Sequence, residues 1–298
     1  MNVRVCSLLP SATELVAELG LAHALVAVSE ECDWPPEVRG LPVVTSSRVD
    51  PDALSSFEID GAVRDALQRG ESLYSIDQNL IESLDPDLII TQDLCSVCAV
   101  SSAELGRLCS VRAEVVSLDP HTIADVERSV LELAAHLRVP DRGRAVVDAM
   151  ECKLATVREA VNGRRRLDVF VCEWLDPPFA AGHWVPEMVD AAGGREVLGR
   201  AGRPSFTTTW EEVSRCKPEL VVLAPCGWNA ERAAREARLP DLQARVVAVD
   251  ANAFYSRPAP RIADGARQLA YLLHPDAVGD PGFPWIELTR MQTVTRSP

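Results

Sequence analysis

Short apolar runs alternate with helix-period segments along most of the chain, the pattern of α/β layering with mainly parallel strands. In the first half, Val3 to Leu9, Ala24 to Val28, Pro42 to Thr45, Asp87 to Thr91 and Ala113 to Leu118 read as strands. Ser11-Ala12-Thr13-Glu14 has the form of a capping box. It opens a helix with Leu15, Val16 and Leu19 as its apolar face and Gly20 near its stop. The stretch from Asp50 to Asp77 reads as an insertion with a helix around Ala62 to Gln68. Midway, Val146, Val147, Met150, Leu154 and Val157 recur at helix spacing over Arg142 to Val161, ending at Asn162-Gly163. A second set follows, with strands at Leu167 to Cys172, Leu220 to Ala224 and Val246 to Val249. Its helices are Trp184 to Ala192, Thr209 to Val213 and Arg261 to Leu273. The Pro- and Gly-containing segment after His274 reads as a surface tail. The two halves are similar in kind, which predicts two lobes facing across a cleft: an N-terminal lobe over 1–140, a helix over 141–163, a C-terminal lobe over 164–275 and a tail over 276–298.

At 298 residues, the chain is long enough for about two domains, each with its own core. With 47% apolar and 25% charged residues, it belongs with folded globular proteins. A formal charge of −14 removes nucleic acid and anionic lipid from the expected partners. No apolar stretch approaches the roughly 20 residues that span a bilayer, and Met1 to Pro10 lacks the basic and apolar regions of a secretory signal. The chain is therefore expected to be soluble and cytoplasmic, or extracytoplasmic if its true start lies upstream. Nine cysteines, an odd number, favour a reducing compartment with thiol or metal use over disulfide stapling.

In open α/β sheets, ligands bind beyond the carboxyl ends of the strands. The segments there are Glu30 to Pro36, Gln92 to Cys98, Glu173 to Trp184, Pro225 to Trp228 and Asp250 to Tyr255. Five of the six Trp residues, at 34, 174, 184, 210 and 228, lie in or near them rather than in the apolar runs. Flat side chains with little rotamer entropy to lose suit a cleft that grips a bulky, partly apolar ligand. Packing of each Trp into its own loop is the alternative.

Cys32, Cys95, Cys98 and Cys226 fall on the same predicted rim, with His183 nearby. Cys95-x-x-Cys98 brings two sulfurs to one side of a turn, as zinc, iron and dithiol sites require. A second such pair is missing, so metal ligation, redox pairing and simple structural thiols all remain open. The usual nucleotide-binding and serine-hydrolase motifs are absent.

Ser7-Leu8-Leu9-Pro10-Ser11-Ala12-Thr13-Glu14, Asp33-Trp34-Pro35-Pro36, Pro86-Asp87-Leu88-Ile89, Pro177-Pro178-Phe179-Ala180-Ala181-Gly182 and Pro258-Ala259-Pro260-Arg261 occur in order. Together they resemble the cobalamin-binding proteins of ABC importers, within the wider group that binds cobalamin, haem and iron–siderophore complexes. The resemblance runs over about residues 3–273. It implies two Rossmann-like α/β lobes joined by one long helix, with the ligand held between them. It also implies that Trp34 and Phe179 contact a corrin, with Phe206 and the loop Asn252 to Tyr255, including Phe254, near contact regions. Glu211 matches the position of an acidic residue that docks with the membrane permease. Its counterpart in the other lobe is replaced by Asp77-Gln78-Asn79. The rim cysteines and the missing signal depart from the importer pattern.

Two functions of different class follow. The first is a non-catalytic binding protein for cobalamin or a related corrinoid or metal chelate. It would use Trp34, Phe179, Trp174, Trp184 and Trp228 for area, and Asp33 and Asn252 as polar groups. The second is a cytosolic metal- or thiol-dependent enzyme in which Cys95, Cys98, Cys226 and His183 hold zinc or iron, with Glu173 or Asp33 handling protons.

Overall fold

The structure, a computed structural model, describes residues 3–51, 53–92 and 112–289. The chain divides into two compact units: Met1–Leu54, Gly61–Pro120 and Ala124–Val147 form the first, and Ser55–Asp60, His121–Ile123 and Asp148–Pro298 the second.

Along the first part of the chain the order is β1 (Val5–Ser7), α1 (Pro10–Glu18), β2 (Leu25–Val28), β3 (Thr45–Ser47), α2 (Ser56–Arg69, whose residues up to Asp60 count with the second unit), β4 (Tyr74–Ile76) and α3 (Gln78–Leu84). Then come β5 (Leu88–Thr91), β6 (Glu114–Ser117), α4 (Ile123–His136) and the start of α5 (Pro140–Ala160). The main sheet is parallel in the order β2-β1-β5-β6, and β3 pairs antiparallel with β4 as a separate ribbon. Successive side chains of a strand point to opposite faces. Accordingly, Val5, Leu88 and Ile90 join a core with Leu15, Val16 and Leu133, while Cys6 and Ile89 join another with Leu8 and Ile81. A parallel sheet covered on both faces needs such unbroken apolar runs.

Helix α1 starts two residues earlier than the Ser11 capping box predicts. Pro10 takes the first helical turn, extended Leu9 is the N-cap, and no side chain caps the helix. Proline suits this place because its missing N–H would have no helical partner. Thr13 and Glu14, placed inside α1, are buried.

The second unit continues with β7 (Leu167–Leu175), β8 (Pro178–Ala180), α6 (Val185–Ala191), β9 (Gly194–Glu196), β10 (Phe206–Thr207), α7 (Trp210–Cys216) and β11 (Leu220–Leu223). The chain then forms α8 (Ala230–Glu236), β12 (Arg245–Val249), α9 (Ala251–Phe254), α10 (Ile262–Leu273) and β13 (Trp285–Glu287). The sheet order is β10-β8-β7-β11-β12-β13, with β7, β11 and β12 parallel and β8, β10 and β13 antiparallel to their neighbours. One edge of β7 is shared. Leu167 to Val169 pair with β9, and Cys172 to Leu175 pair with β8.

The long midway helix is α5, about 31 Å at 1.5 Å per residue. Its buried stripe is Val147, Met150, Leu154 and Val157. The boundary between the units falls inside it, after Val147. Residues beyond His274, expected as a tail, include β13, which pairs with β12.

Candidate functional site

Parallel pairing aligns Cys172, Leu223 and Ala248 on β7, β11 and β12, so the segments that follow these strands leave the sheet side by side. Glu173 and Trp174 lie among the last residues of β7, before Leu175, Pro225 to Trp228 follow β11, and Asp250 to Phe254 follow β12. Backbone bonds join the three: Cys226 N donates to Glu173 O at 3.1 Å, and Ala251 N to Trp228 O at 3.1 Å. Asn229 and Asp250 cap α8 and α9 by accepting from Arg232 N and Ala253 N, each at 2.9 Å.

Two aromatic layers result. Trp174 stands opposite Phe179 across β7 and β8, and its ring lies 5.2 Å from that of Trp228. The Arg232 guanidinium sits 4.3 Å over the Trp228 ring, a cation–π contact that leaves Trp228 buried. Trp174 Nε1 donates to Ser56 O at 3.1 Å. Trp174 and Phe179 are half-buried. Phe206 opposes Ala180, the neighbour of Phe179, so it projects from the other face of the strand, where Arg200 covers its ring at 4.7 Å.

Deeper in the unit, Trp184 is 4% exposed and its Nε1 donates to Tyr255 O at 2.8 Å. The Tyr255 hydroxyl donates to Gln268 Oε1 at 2.9 Å, and Gln268 Nε2 donates to Pro284 O at 3.0 Å. Burial pushes the Tyr255 phenol well above its ordinary range. Phe254 packs on Phe283 at 4.4 Å, with Arg261 over its ring. Of the aromatics expected on a ligand rim, Trp184, Tyr255 and Phe254 are thus interior framework. Asn252 is half-buried, beside them on α9.

His183 has φ +50°, and its backbone is tied to the 200–203 loop by His183 N to Arg203 O at 2.7 Å and Gly202 N to His183 O at 2.9 Å. Gly182 precedes it because a Cβ there would lie 2.3 Å from Ser205 N. Gly182 N also donates to Glu173 Oε1 at 3.2 Å. The His183 ring is 5.5 Å from that of His121, and its Nε2 is buried without a hydrogen-bond partner among the described residues. Burial, and secondarily His121, lowers its pKa below the usual imidazole value, which keeps it neutral at pH 7.

In the first unit, Cys32 Sγ lies 3.0 Å from Thr13 Oγ1 and 3.1 Å from Ser29 Oγ, and Thr13 Oγ1 donates to Ser7 Oγ at 2.8 Å. This buried hydroxyl–thiol network lies beside the start of α1. The next residues, Asp33 and Trp34, lead into a cis Trp34-Pro35 bond, and the Trp34 side chain is 41% exposed. Cys226 is exposed, whereas Cys95 and Cys98 lie outside the described residues. Among the described residues no group of three or more His, Cys, Asp or Glu is placed to hold a metal ion. Glu211 is exposed in the first turn of α7, beside Glu212, whose carboxylate accepts from Thr208 Oγ1 at 2.7 Å.

Two cationic groups escaped the sequence reading. Arg232 is visible only through the fold, which lays it on Trp228. Arg257 is 6% exposed, just after the Tyr255 framework, and its signal was an arginine inside an apolar, proline-rich stretch.

Comparison with known proteins places these observations. A family model described as periplasmic binding protein matches residues 5–260. The vitamin B12-binding protein of Pectobacterium carotovorum subsp. carotovorum (strain PC1) is 24% identical over 272 residues, covering 89% of this chain and 86% of its own. That of Vibrio cholerae serotype O1 (strain M66-2) is 23% identical over 279 residues, covering 91% and 88%. Among solved structures, the periplasmic vitamin B12 binding protein of Vibrio cholerae superposes with TM-score 0.64 at 23% identity, covering 91% of this chain and 96% of its own. A periplasmic heme binding protein from Pseudomonas aeruginosa superposes with TM-score 0.68 at 18% identity over 100% of both chains. At these identities the structural matches speak to the fold, which is that of two α/β lobes. No helix among the described residues is long and apolar enough to cross a membrane.

Proposed function

The chain belongs to the periplasmic binding protein family, and from that premise we propose that it is the substrate-binding component of an ABC importer for cobalamin or a related corrinoid. The observation that carries this reading is the half-buried aromatic pair Trp174 and Phe179, backed by Trp228 under Arg232, at the carboxyl ends of three parallel strands. Large aromatic side chains of this kind suit a macrocycle, because their faces bury large areas at small entropic cost. Exposed Trp34 is a further ligand-contacting residue, and Asp33 and Asn252 supply polar groups. The relatives named for vitamin B12 support the choice of ligand.

Binding of this kind needs no nucleophile or base. Trp184, Tyr255 and Phe254 act by holding the framework rather than by touching ligand. Glu211 is the docking residue for the permease, and delivery to a permease sets the capture step outside the cytoplasmic membrane. The thiol-enzyme alternative draws no support from the described residues or the relatives.

The test is titration of the reduced protein with cyanocobalamin, followed by tryptophan fluorescence with correction for inner-filter absorption. Saturable one-to-one quenching at micromolar ligand or below is expected, weakened about tenfold in Trp174→Ala, the factor that ~1.4 kcal/mol supplies. Absence of saturation up to about 100 µM, a binding free energy weaker than roughly −5.5 kcal/mol, would overturn the reading.

A further inference from the structure

Helix α2 lies in the stretch that the sequence presents as an insertion, and its first turn carries the most exposed large apolar side chain among the described residues. Phe57 is 65% exposed. Its position is well defined. Ser55 Oγ and Ser55 N donate to Glu58 Oε2 at 2.7 and 2.9 Å, and Glu58 N returns a longer bond to Ser55 Oγ at 3.4 Å, which makes a reciprocal capping box. The Ser55 bonds hold the Glu58 carboxyl below its usual pKa, so the box is intact at neutral pH. Ile59 is buried, and Ser56 O accepts the Trp174 indole N–H at 3.1 Å.

Ser55 to Asp60 belong to the second unit, as does Trp174. One residue, about 3.8 Å of backbone, separates the Cα of Phe57 from that of the residue to which Trp174 is bonded. A large apolar group held mostly open to water on a capped turn gains little from packing in its own helix. An exposed aromatic next in the chain to the residue whose carbonyl accepts the Trp174 indole is the kind of side chain of which contact surfaces are made.

We infer that Phe57 is a ligand-contacting residue, which extends the Trp174 and Phe179 surface outward and sets a preference for ligands wide enough to reach it. This inference rests on the corrinoid reading above and deepens it. A macrocycle with bulky peripheral groups would cover Phe57, whereas a compact chelate seated on Trp174 and Phe179 alone would leave it in water.

The test uses the full chain and cyanocobalamin, by calorimetric titration of the unaltered protein, Phe57→Ala and Phe57→Trp. Phe57→Ala is expected to weaken binding about tenfold while the thermal midpoint of the ligand-free protein stays within a degree or two, because the side chain is exposed. Phe57→Trp keeps an aromatic face and is expected to hold affinity within about twofold, and its added indole should be quenched by ligand. Binding by Phe57→Ala within twofold of the unaltered protein overturns the inference alone, and so does Phe57→Trp binding as weakly as Phe57→Ala. Failure of the unaltered protein to bind overturns the corrinoid reading, and the role of Phe57 with it.

Discussion

The Tyr255 hydroxyl has one task in this fold, donation to the amide oxygen of Gln268, a residue with no solvent exposure. Removing a donor while leaving its buried acceptor costs the desolvation of that acceptor, about 1–3 kcal/mol. Tyr255→Phe is therefore expected to lower stability by about that amount in urea denaturation, with little change in ligand affinity. A ligand-contacting tyrosine would show the reverse. Glu196 makes a second residue-level prediction. Burial of its carboxyl outweighs the three backbone N–H groups it accepts, from Val171, Leu198 and Gly199, and pushes its pKa up to about 7. Between its ordinary value of 4.5 and about 7, the folded state holds a proton that the unfolded chain has released. Stability contributed by this group falls as pH rises through that window. Denaturation at pH 5 and pH 8 is expected to show a smaller decline in Glu196→Gln than in the unaltered protein.

At the level of elements, Ser55 is a better-defined target than Phe57 itself. Ser55→Ala removes the capping box and is expected to cost about 1 kcal/mol, read as a lower urea midpoint at unchanged slope. Such elements also show which parts of the fold were legible. The strands Leu25–Val28, Leu88–Thr91, Leu220–Leu223 and Arg245–Val249 stood out because a sheet covered on both faces needs continuous apolar runs. Helix Ile262–Leu273 stood out by its one-sided apolar stripe. Strands Pro178–Ala180 and Phe206–Thr207 did not, since two or three residues at a sheet edge carry no periodicity. The start of α2 was written in Ser55-x-x-Glu58, but its mixed apolar face drew attention only to the later turns. For the candidate site, the sequence places Trp174, Phe179 and Trp228 beyond strand ends, whereas the structure sets Trp174 inside β7 and Phe179 in the short β8 and leaves only Trp228 in a loop after a strand. Trp184 and Tyr255 look the same in sequence, and their interior partners, Tyr255 O and Gln268, are supplied only by long-range contacts.

Across the whole molecule, 44 acidic against 30 basic side chains leave a surplus that repels itself in the folded state. Raising NaCl from about 20 to about 300 mM shortens the screening length from roughly 20 Å to under 10 Å. The thermal midpoint is expected to rise by a few degrees over that range, which a calorimetric salt series would check. The same surplus explains why the arginines near the candidate site, Arg232 on Trp228 and Arg261 on Phe254, are conspicuous against their surroundings.

The shared edge of β7 has a kinetic consequence. Because β9 holds the first third of the strand and β8 the last, the ladder of Leu220 to Leu223 along β7 does not depend on β8 and β10 remaining closed. Those two short strands can unlatch in a local fluctuation far cheaper than global unfolding, while the central ladder stays intact. Phe179 travels with the part that unlatches and Trp174 with the part it leaves. Amide protons of Phe179 and Thr207 should accordingly exchange orders of magnitude faster than those of Val221 and Val222. Breathing of this edge would be one way for a wide ligand to arrive and depart.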